Sequence, residues 1–120
     1  MSLYKEILLD HYKNPRHRGT VANCLFNVEQ ANPLCGDVVN VSGRVVDEIL
    51  VEVAFVGKGC VISQATASML LEKHAGGLVV DILACTPQDV LHLVQMELGP
   101  NRIKCALLAL MALQAGVKKC

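Results

Sequence analysis

VVNVSGRVVDEILVEVAFV, residues 38–56, is the stretch that decides the fold of this chain. It contains two runs rich in β-branched residues, 38–46 and 49–56, and such residues favour strands. The polar pair Asp47-Glu48 separates the two runs, which predicts a tight hairpin. The sequence therefore predicts two antiparallel strands, with Ser42-Gly43 marking a bulge or a sheet edge.

Metal-ligating residues flank this hairpin at its open end. Cys35 and Asp37 lie just before the first strand, in the loop NPLCGD (residues 32–37), and Cys60 follows the second strand. Because the open ends of paired antiparallel strands lie side by side, we expect these three side chains to meet at one sheet edge. Pro33 restricts the backbone of the NPLCGD loop and Gly36 allows it more conformations. We therefore expect the Cys35 thiol to lie on a turn.

The remainder of the chain predicts one more strand, at residues 25–29, and several helices. Apolar periodicity and capping signals place these helices at residues 3–13, 62–74, 87–97 and 102–115, with a short apolar turn at 78–84. Thr86 is the expected N-cap of the third helix, with Pro87 at its first position. Asn101 is the expected N-cap of the last helix, which places Cys105 in the first turn.

Cys35, Asp37, Cys60 and Cys105 therefore each lie on a loop or at a helix start. Three sulfurs and one carboxylate suit a tetrahedral thiophilic ion, Zn²⁺ first, because zinc binds cysteine sulfur and aspartate oxygen together. The same four residues could hold a [2Fe–2S] cluster less firmly than four thiolates would. The hard oxygen ligand indicates a position that can open, whereas a purely structural zinc site is closed.

Other interpretations of the cysteines are weaker. Six cysteines in 120 residues form an even number, but no signal peptide is recognisable and 52% of the residues are hydrophobic, enough for a core without disulfides. Cys24 and Cys85 are expected to be core thiols, and Cys120 an exposed one. No CxxC, HExxH or HxE…PCxxC arrangement occurs, which disfavours a zinc hydrolase or deaminase.

Composition limits the partners. Eleven basic residues balance eleven acidic ones, so no net field attracts nucleic acid or an anionic membrane. No apolar run approaches the length of about 20 residues that spans a bilayer. We expect a single domain over residues 1–120, located in the cytoplasm, where thiols stay reduced.

Four blocks resemble the U-type iron–sulfur scaffold family, which includes IscU, SufU and the N-terminal domain of NifU. They are LYKEILLDHYKNPRHRG (residues 3–19), NPLCGD (32–37), GKGCVISQATASML (57–70) and RIKCALLALMAL (102–113). By this resemblance, Cys35, Asp37, Cys60 and Cys105 are the family's metal or cluster ligands. The resemblance also implies an α+β fold in which a small antiparallel three-stranded sheet packs against several helices.

The resemblance implies a function as well. A non-enzymatic scaffold would accept sulfur from a pyridoxal-phosphate (PLP)-dependent cysteine desulfurase and transiently bind a [2Fe–2S] cluster for transfer to recipient apo-proteins. The alternative is a zinc-bound, SufU-like sulfurtransferase that stimulates the desulfurase. Cys35 is the predicted sulfur acceptor because its loop can swing toward a partner, and Cys105 is the second choice. Lys104 is the predicted electrostatic helper of the thiolates.

The chain combines sequence features of the IscU and SufU branches of this family. Lys104 stands where the IscU branch has a histidine, as in SufU-like sequences, yet residues 60–105 are too short for the SufU insertion. Residues 98–102, Leu-Gly-Pro-Asn-Arg, depart from the Leu-Pro-Pro-Val-Lys segment that a dedicated Hsp70-type chaperone reads, so that partner is not expected. The sequence leaves the bound metal species, the oligomeric state and the recipients open.

Overall fold

The structure is a computed structural model that describes residues 3–120. Its elements are α1 (Leu3–Lys13), β1 (Phe26–Asn32), β2 (Asp37–Val46), β3 (Ile49–Lys58), α2 (Val61–His74), α3 (Val79–Ala84), α4 (Pro87–Val94), α5 (Pro100–Ala106) and α6 (Leu108–Val117). The three strands form one antiparallel sheet in the order β1-β2-β3. The predicted α+β fold, with a three-stranded sheet packed against helices, is confirmed. Within residues 3–120, no helix has the length and hydropathy to cross a membrane.

The predicted hairpin between β2 and β3 is confirmed. Asp47 and Glu48 both have positive φ, 52° and 67°, as a two-residue turn between twisted strands requires. β2 is the central strand, so the interpretation of Ser42-Gly43 as a sheet edge is wrong, and the register shifts one step later, between Arg44 and Val45. Gly43 serves close packing instead: a Cβ there would lie 2.5 Å from the Phe26 ring.

β1 runs further than the sequence predicts. It continues to Asn32, which pairs with Asp37 at the start of β2. Alanine and asparagine have weak strand propensity, so residues 30–32 gave no strand signal, and pairing with β2 decides their conformation. The loop between β1 and β2 therefore contains only residues 33–36, and Asp37 is the first residue of β2.

The core lies between the sheet and helices α2 and α6. α6 packs on β1 and β2, and α2 packs on β2, β3 and the surrounding helices α1, α4, α5 and α6. Most residues of α2 are buried, because small side chains such as Ala65, Ala67 and Ser68 let neighbouring backbones approach. A helix surrounded in this way holds its N-terminus firmly at the sheet edge.

The last predicted helix, 102–115, is two helices. α5 and α6 are separated at Leu107, whose backbone angles are φ −91° and ψ −6°. Gly99, not Asn101, is the N-cap of α5, because Pro100 takes the first helical position, where no amide proton is needed. Cys105 therefore lies in the last turn of α5, so the prediction that it lies in the first turn is wrong.

The other helix ends follow local backbone chemistry. The Thr86 N-cap is confirmed: Thr86 and Asp89 form a reciprocal capping box, with Pro87 in the first turn. α4 stops at Val94, short of the predicted residue 97, because Gln95 adopts a left-handed conformation with φ 55°. The segment predicted as an apolar turn contains the short helix α3.

Candidate metal and sulfur site

The Cys35 loop is organised by Asn32. The backbone carbonyl of Asn32 accepts hydrogen bonds from the amides of Cys35 (3.3 Å) and Gly36 (2.9 Å). Its side-chain Oδ1 accepts from the Leu34 amide at 3.1 Å. Gly36 has φ 71°, a left-handed conformation that glycine adopts without strain. The loop therefore turns tightly and leaves the Cys35 side chain exposed.

α5 places Cys105 directly behind Cys35. The two Sγ atoms lie 3.0 Å apart. The side-chain amide of Asn32 donates to Cys105 Sγ at 3.5 Å. Cys105 is only 2% exposed. The Cys35 thiol of this pair is thus exposed to solvent, and the Cys105 thiol is buried.

Cys60 joins the site through Asp37. Cys60 is the N-cap residue of α2, and its amide donates to Asp37 Oδ1 at 3.2 Å. Its thiol donates to Asp37 Oδ2 at 3.0 Å. Gly59, with φ 142°, makes room for this carboxylate, since a Cβ at that position would lie 2.5 Å from Asp37 Oδ1. Asp37 is consequently 2% exposed yet well supplied with hydrogen-bond donors.

The structure brings all four predicted residues to one edge of the sheet. One ligand atom each of Cys35, Asp37 and Cys105 lies within 4.8 Å of the others. Cys60 is not a member of that closest group and contacts it through the Asp37 carboxylate. The strand pairing that predicted this meeting is also observed, since Val38 pairs with Lys58 beside it. Their role as ligands stays a prediction.

The electrostatic environment keeps Asp37 ionised. Burial by itself would raise the pKa of Asp37, but hydrogen bonds from the Cys60 and Cys105 thiols, the Cys60 amide and the Ser63 hydroxyl outweigh it. The pKa of Asp37 is therefore below its usual value. A negative charge is in place before any cation arrives.

The Cys105 thiol has the opposite tendency. Burial raises the pKa of Cys105 strongly, and the hydrogen bonds that the thiol makes to Cys35 and Asp37 raise it further, against a lowering contribution from Asn32. Cys105 is therefore a neutral thiol in the metal-free protein. A metal ion that binds Cys105 has to displace this proton, so we expect metal affinity to rise with pH.

Comparison with known proteins identifies the family. Residues 3–120 match the family model described as "NifU-like N terminal domain". This chain belongs to the NifU-like N-terminal domain family.

Relatives and a solved structure agree with this membership. The NifU-like domain is 33% identical to the zinc-dependent sulfurtransferase SufU of Bacillus subtilis, over 98% of this chain and 91% of that protein. It is 34% identical to the iron–sulfur cluster assembly scaffold protein IscU of Escherichia coli K12, over 95% of this chain and 91% of that protein. A crystal structure of a hypothetical protein superimposes with a TM-score of 0.83 at 31% identity, covering 97% of each chain.

Alignment lengths differ between the two named relatives. The alignment with SufU spans 135 positions, more than the 120 residues of this NifU-like domain, so SufU carries residues that this chain lacks. The alignment with the E. coli IscU spans only 118 positions. The alignment with an IscU of Streptococcus pyogenes spans 134 positions, so length does not distinguish the SufU and IscU names, and the missing SufU-type insertion stays a prediction.

The donor atoms of the NifU-like domain fit a thiophilic ion. With Zn–S bonds of about 2.3 Å, two sulfurs that share a tetrahedral zinc ion stand about 3.8 Å apart. Cys35 Sγ and Cys105 Sγ, at 3.0 Å, would have to separate by less than 1 Å. Two sulfurs and an ionised carboxylate in one group, with a third sulfur adjoining, suit zinc or iron better than a hard cation.

Lys104 directly precedes Cys105 in α5. It is exposed, and within residues 3–120 no hydrogen bond or ion pair joins it to the thiols. It lines an apolar groove together with Leu34, Leu107 and Met111. The role of Lys104 as an electrostatic helper stays a prediction. Burial is the largest cause of the raised pKa of Cys105, followed by its hydrogen bonds with Cys35 and Asp37.

Sequence reasoning missed three supporting residues: Asn32, Gly59 and Ser63. Asn32 had a usable signal, because an asparagine before Pro33 is typical of a turn in which the side chain accepts a backbone amide. Gly59 and Ser63 gave no comparable signal, since their importance comes from the carboxylate that packs against them. Cys24 and Cys85, expected in the core, are only half-buried, and Cys120 is exposed as predicted.

Proposed function

We propose that this NifU-like domain is an iron–sulfur cluster assembly scaffold. It accepts sulfur from a PLP-dependent cysteine desulfurase, holds a [2Fe–2S] cluster transiently and passes it to recipient apo-proteins. The observation that carries the proposal is the meeting of Cys35, Asp37 and Cys105 within 4.8 Å at an exposed sheet edge, with Cys60 adjoining. The likeness to IscU supports it independently.

The four side chains divide into firm and exchangeable ligands. Thiolates of Cys35, Cys60 and Cys105 would hold the iron of the cluster, which is cargo and leaves with the recipient. Asp37 supplies the oxygen ligand, which binds iron of a cluster less firmly than a fourth thiolate would. Its charge is already present, so exchanging it for a recipient's thiolate requires no proton transfer at Asp37.

Cys35 is the residue that receives sulfur. It is exposed on its loop, whereas Cys60 is half-buried and Cys105 is buried. The Cys35 thiolate attacks the outer sulfur of a persulfide on the desulfurase. The sulfur–sulfur bond of the donor breaks, and the desulfurase cysteine leaves as a thiolate. Only an exposed thiol can enter a partner's active site in this way.

The apolar groove beside Cys35 is the surface that would contact the desulfurase. Leu34, directly before the acceptor, is 73% exposed, and Met111 on α6 is 50% exposed. These side chains, with Leu107 and Lys104, line a groove of about 310 Å³. Large apolar side chains exposed together next to a reactive residue are typical of a protein contact site.

A second candidate function is that of a zinc-bound sulfurtransferase. The likeness to zinc-dependent SufU favours it, as does Lys104, the residue directly before Cys105. In that case Zn²⁺ would be held by Cys35, Asp37, Cys60 and Cys105, and it would keep the thiols ionised for sulfur transfer. The domain would then stimulate the desulfurase without building a cluster.

Anaerobic reconstitution separates the two functions. The full chain is incubated with iron, cysteine and a cysteine desulfurase, followed by visible absorption and metal analysis. A chromophore with about two irons per chain, absent from Cys60→Ala and retained by Cys24→Ser, supports the scaffold. Tightly held zinc, no chromophore and faster desulfurase turnover support the sulfurtransferase. A protein that shows neither the chromophore nor tightly held zinc with faster desulfurase turnover would contradict both functions.

A further inference from the structure

Cys35 and Cys105 form a close thiol pair within the candidate metal site. Their Sγ atoms, 3.0 Å apart, stand between two characteristic separations. Sulfurs that share a tetrahedral zinc ion lie about 3.8 Å apart. Sulfurs in a disulfide lie about 2.05 Å apart. A movement of about 1 Å would therefore join the two cysteines covalently.

The two thiols of this pair differ in their access to solvent. Cys35 is exposed, so a sulfur atom delivered to its Sγ arrives from solvent. Cys105 is buried behind it, where the Asn32 side-chain amide holds its Sγ at 3.5 Å. A sulfur that Cys35 receives from solvent is attached on the exposed side, whereas Cys105 contacts Cys35 Sγ from the buried side. This is the side from which a thiol displaces a leaving sulfur in thiol–disulfide exchange.

We propose that Cys105 discharges a persulfide on Cys35 as sulfide. The proposal rests on the role of Cys35 as sulfur acceptor. Cys105 Sγ attacks Cys35 Sγ, a Cys35–Cys105 disulfide forms, and the bond from Cys35 Sγ to the outer sulfur breaks. The attacking form is the Cys105 thiolate, whose proton passes to the solvent, and the outer sulfur takes up one proton from the solvent as it leaves as HS⁻. It gains two electrons, which the two cysteine sulfurs supply as they become a disulfide, so this step consumes no external reductant.

Cys60 cannot replace Cys105 in this reaction without a rearrangement. Its thiol donates to Asp37 Oδ2 at 3.0 Å, and its Sγ lies outside the closest group of ligand atoms. The discharge is therefore specific for one pair, and each chain releases a single sulfide. An external thiol has to reopen the disulfide before the site can act again.

The test follows sulfide and disulfide in the full chain. The protein is charged anaerobically with cysteine and a desulfurase, or with inorganic polysulfide, then desalted and left without reductant. We expect about one sulfide per chain and a peptide pair cross-linked through Cys35 and Cys105, lighter by two hydrogen atoms. Cys105→Ser should keep the persulfide on Cys35 and release sulfide only at background level. Cys24→Ser, outside the site, should behave as the wild type does.

Two results would overturn the inference while the scaffold function stands. One is a wild-type persulfide on Cys35 that lasts as long as that of Cys105→Ser. The other is released sulfide without the Cys35–Cys105 cross-link, a measurement on the wild type that does not depend on the variant's folding. If no persulfide forms on Cys35 with either sulfur source, the acceptor role itself fails, and the inference fails with it.

Discussion

Asp37 connects the Cys60 and Cys105 thiols at the residue scale. Its two oxygens accept from the Cys60 amide and thiol, and it also hydrogen-bonds to the Cys105 thiol. In the proposed function this carboxylate would act both as an exchangeable ligand and as the fixed charge that compensates an incoming cation. Gly59 and Ser63 contact the carboxylate and are not proposed ligands, so its position can be changed by a substitution that keeps Asp37.

Asp37→Ala should slow the release of the bound metal unit. The substitution removes the hard, exchangeable oxygen ligand and leaves the sulfur ligands, which bind iron and zinc more firmly. The rate of cluster or zinc transfer to an apo-protein or a chelator measures this effect. Asp47→Asn, at the exposed hairpin turn, is the matched control. Transfer from Asp37→Ala that is as fast as from the wild type, or faster, would contradict the role of Asp37.

Gly59→Ala should weaken metal binding, and Gly19→Ala should not. The two glycines have nearly the same positive φ, 142° and 141°, so alanine strains the backbone at both positions. Only at Gly59 would the added Cβ meet another group, the Asp37 carboxylate, whereas nothing lies within 4 Å at Gly19. Zinc affinity by chelator competition and stability by urea unfolding measure the two effects. Equal zinc affinities in the two variants would show that Asp37 does not need this space.

At the element scale, the packing of α1 on α2 contains a buried histidine. His11 Nδ1 lies 2.8 Å from Ser68 Oγ, and the same hydroxyl accepts from the Arg16 amide at 2.8 Å. Burial, with a smaller contribution from Arg16, lowers the pKa of His11 against the opposing effects of Glu72 and Asp10. The structure therefore contains neutral His11, and protonation opposes the packing of α1.

The stability of the metal-free chain should fall as the pH is lowered through the ordinary histidine range. Because the folded pKa of His11 is below its unfolded value of 6.5, the unfolded chain binds more protons between the two values. The stabilisation is complete above pH 6.5 and is lost below it, toward the folded pKa. His74, whose pKa burial also lowers, contributes in the same direction.

Urea unfolding between pH 5 and 8 tests this prediction. His11→Gln should reduce the pH dependence, and the part that remains should come from His74. His17→Asn is the control, because His17 is exposed and has φ 62°, a conformation that asparagine tolerates. An unchanged pH profile in His11→Gln would mean that His11 does not titrate on folding.

At the scale of the whole molecule, the site and the apolar groove form one continuous surface. The NPLCGD loop borders both, with Cys35 toward the thiols and Leu34 toward the groove. α6 supplies Met111 to the groove and packs its other face on the sheet. A partner that contacts the groove therefore lies next to Cys35, the proposed sulfur acceptor.

Met111→Asp should weaken binding of the desulfurase about tenfold, which corresponds to about 1.4 kcal/mol. A charge placed in an apolar contact has to be desolvated without a partner. Val80→Asp is the control, because Val80 is 63% exposed on α3 and does not line the groove. Titration calorimetry with the desulfurase measures both variants. A loss of affinity that is equal in the two variants would place the contact elsewhere.

The sequence by itself determined the sheet, the hairpin and the residues of the site. Strand propensity and a two-residue polar turn are local properties, and they fixed β2 and β3 with Cys35, Asp37 and Cys60 at their open end. Resemblance to a family also predicted the three-stranded fold and the candidate ligand set. Local signals were weakest where a conformation depends on pairing, as at the end of β1, or on a helix break, as at Leu107.

Only the tertiary structure decided how the thiols are arranged. Cys35 and Cys105 are 70 positions apart along the chain, and their contact depends on how α5 packs against the NPLCGD loop. The same packing buries Cys105 and lets the Asn32 side-chain amide donate to its Sγ. The Cys60 thiol hydrogen-bonds to Asp37 and not to Cys35. Such contacts have no sequence period or turn signal, because they arise from shape complementarity between elements that fold from distant parts of the chain.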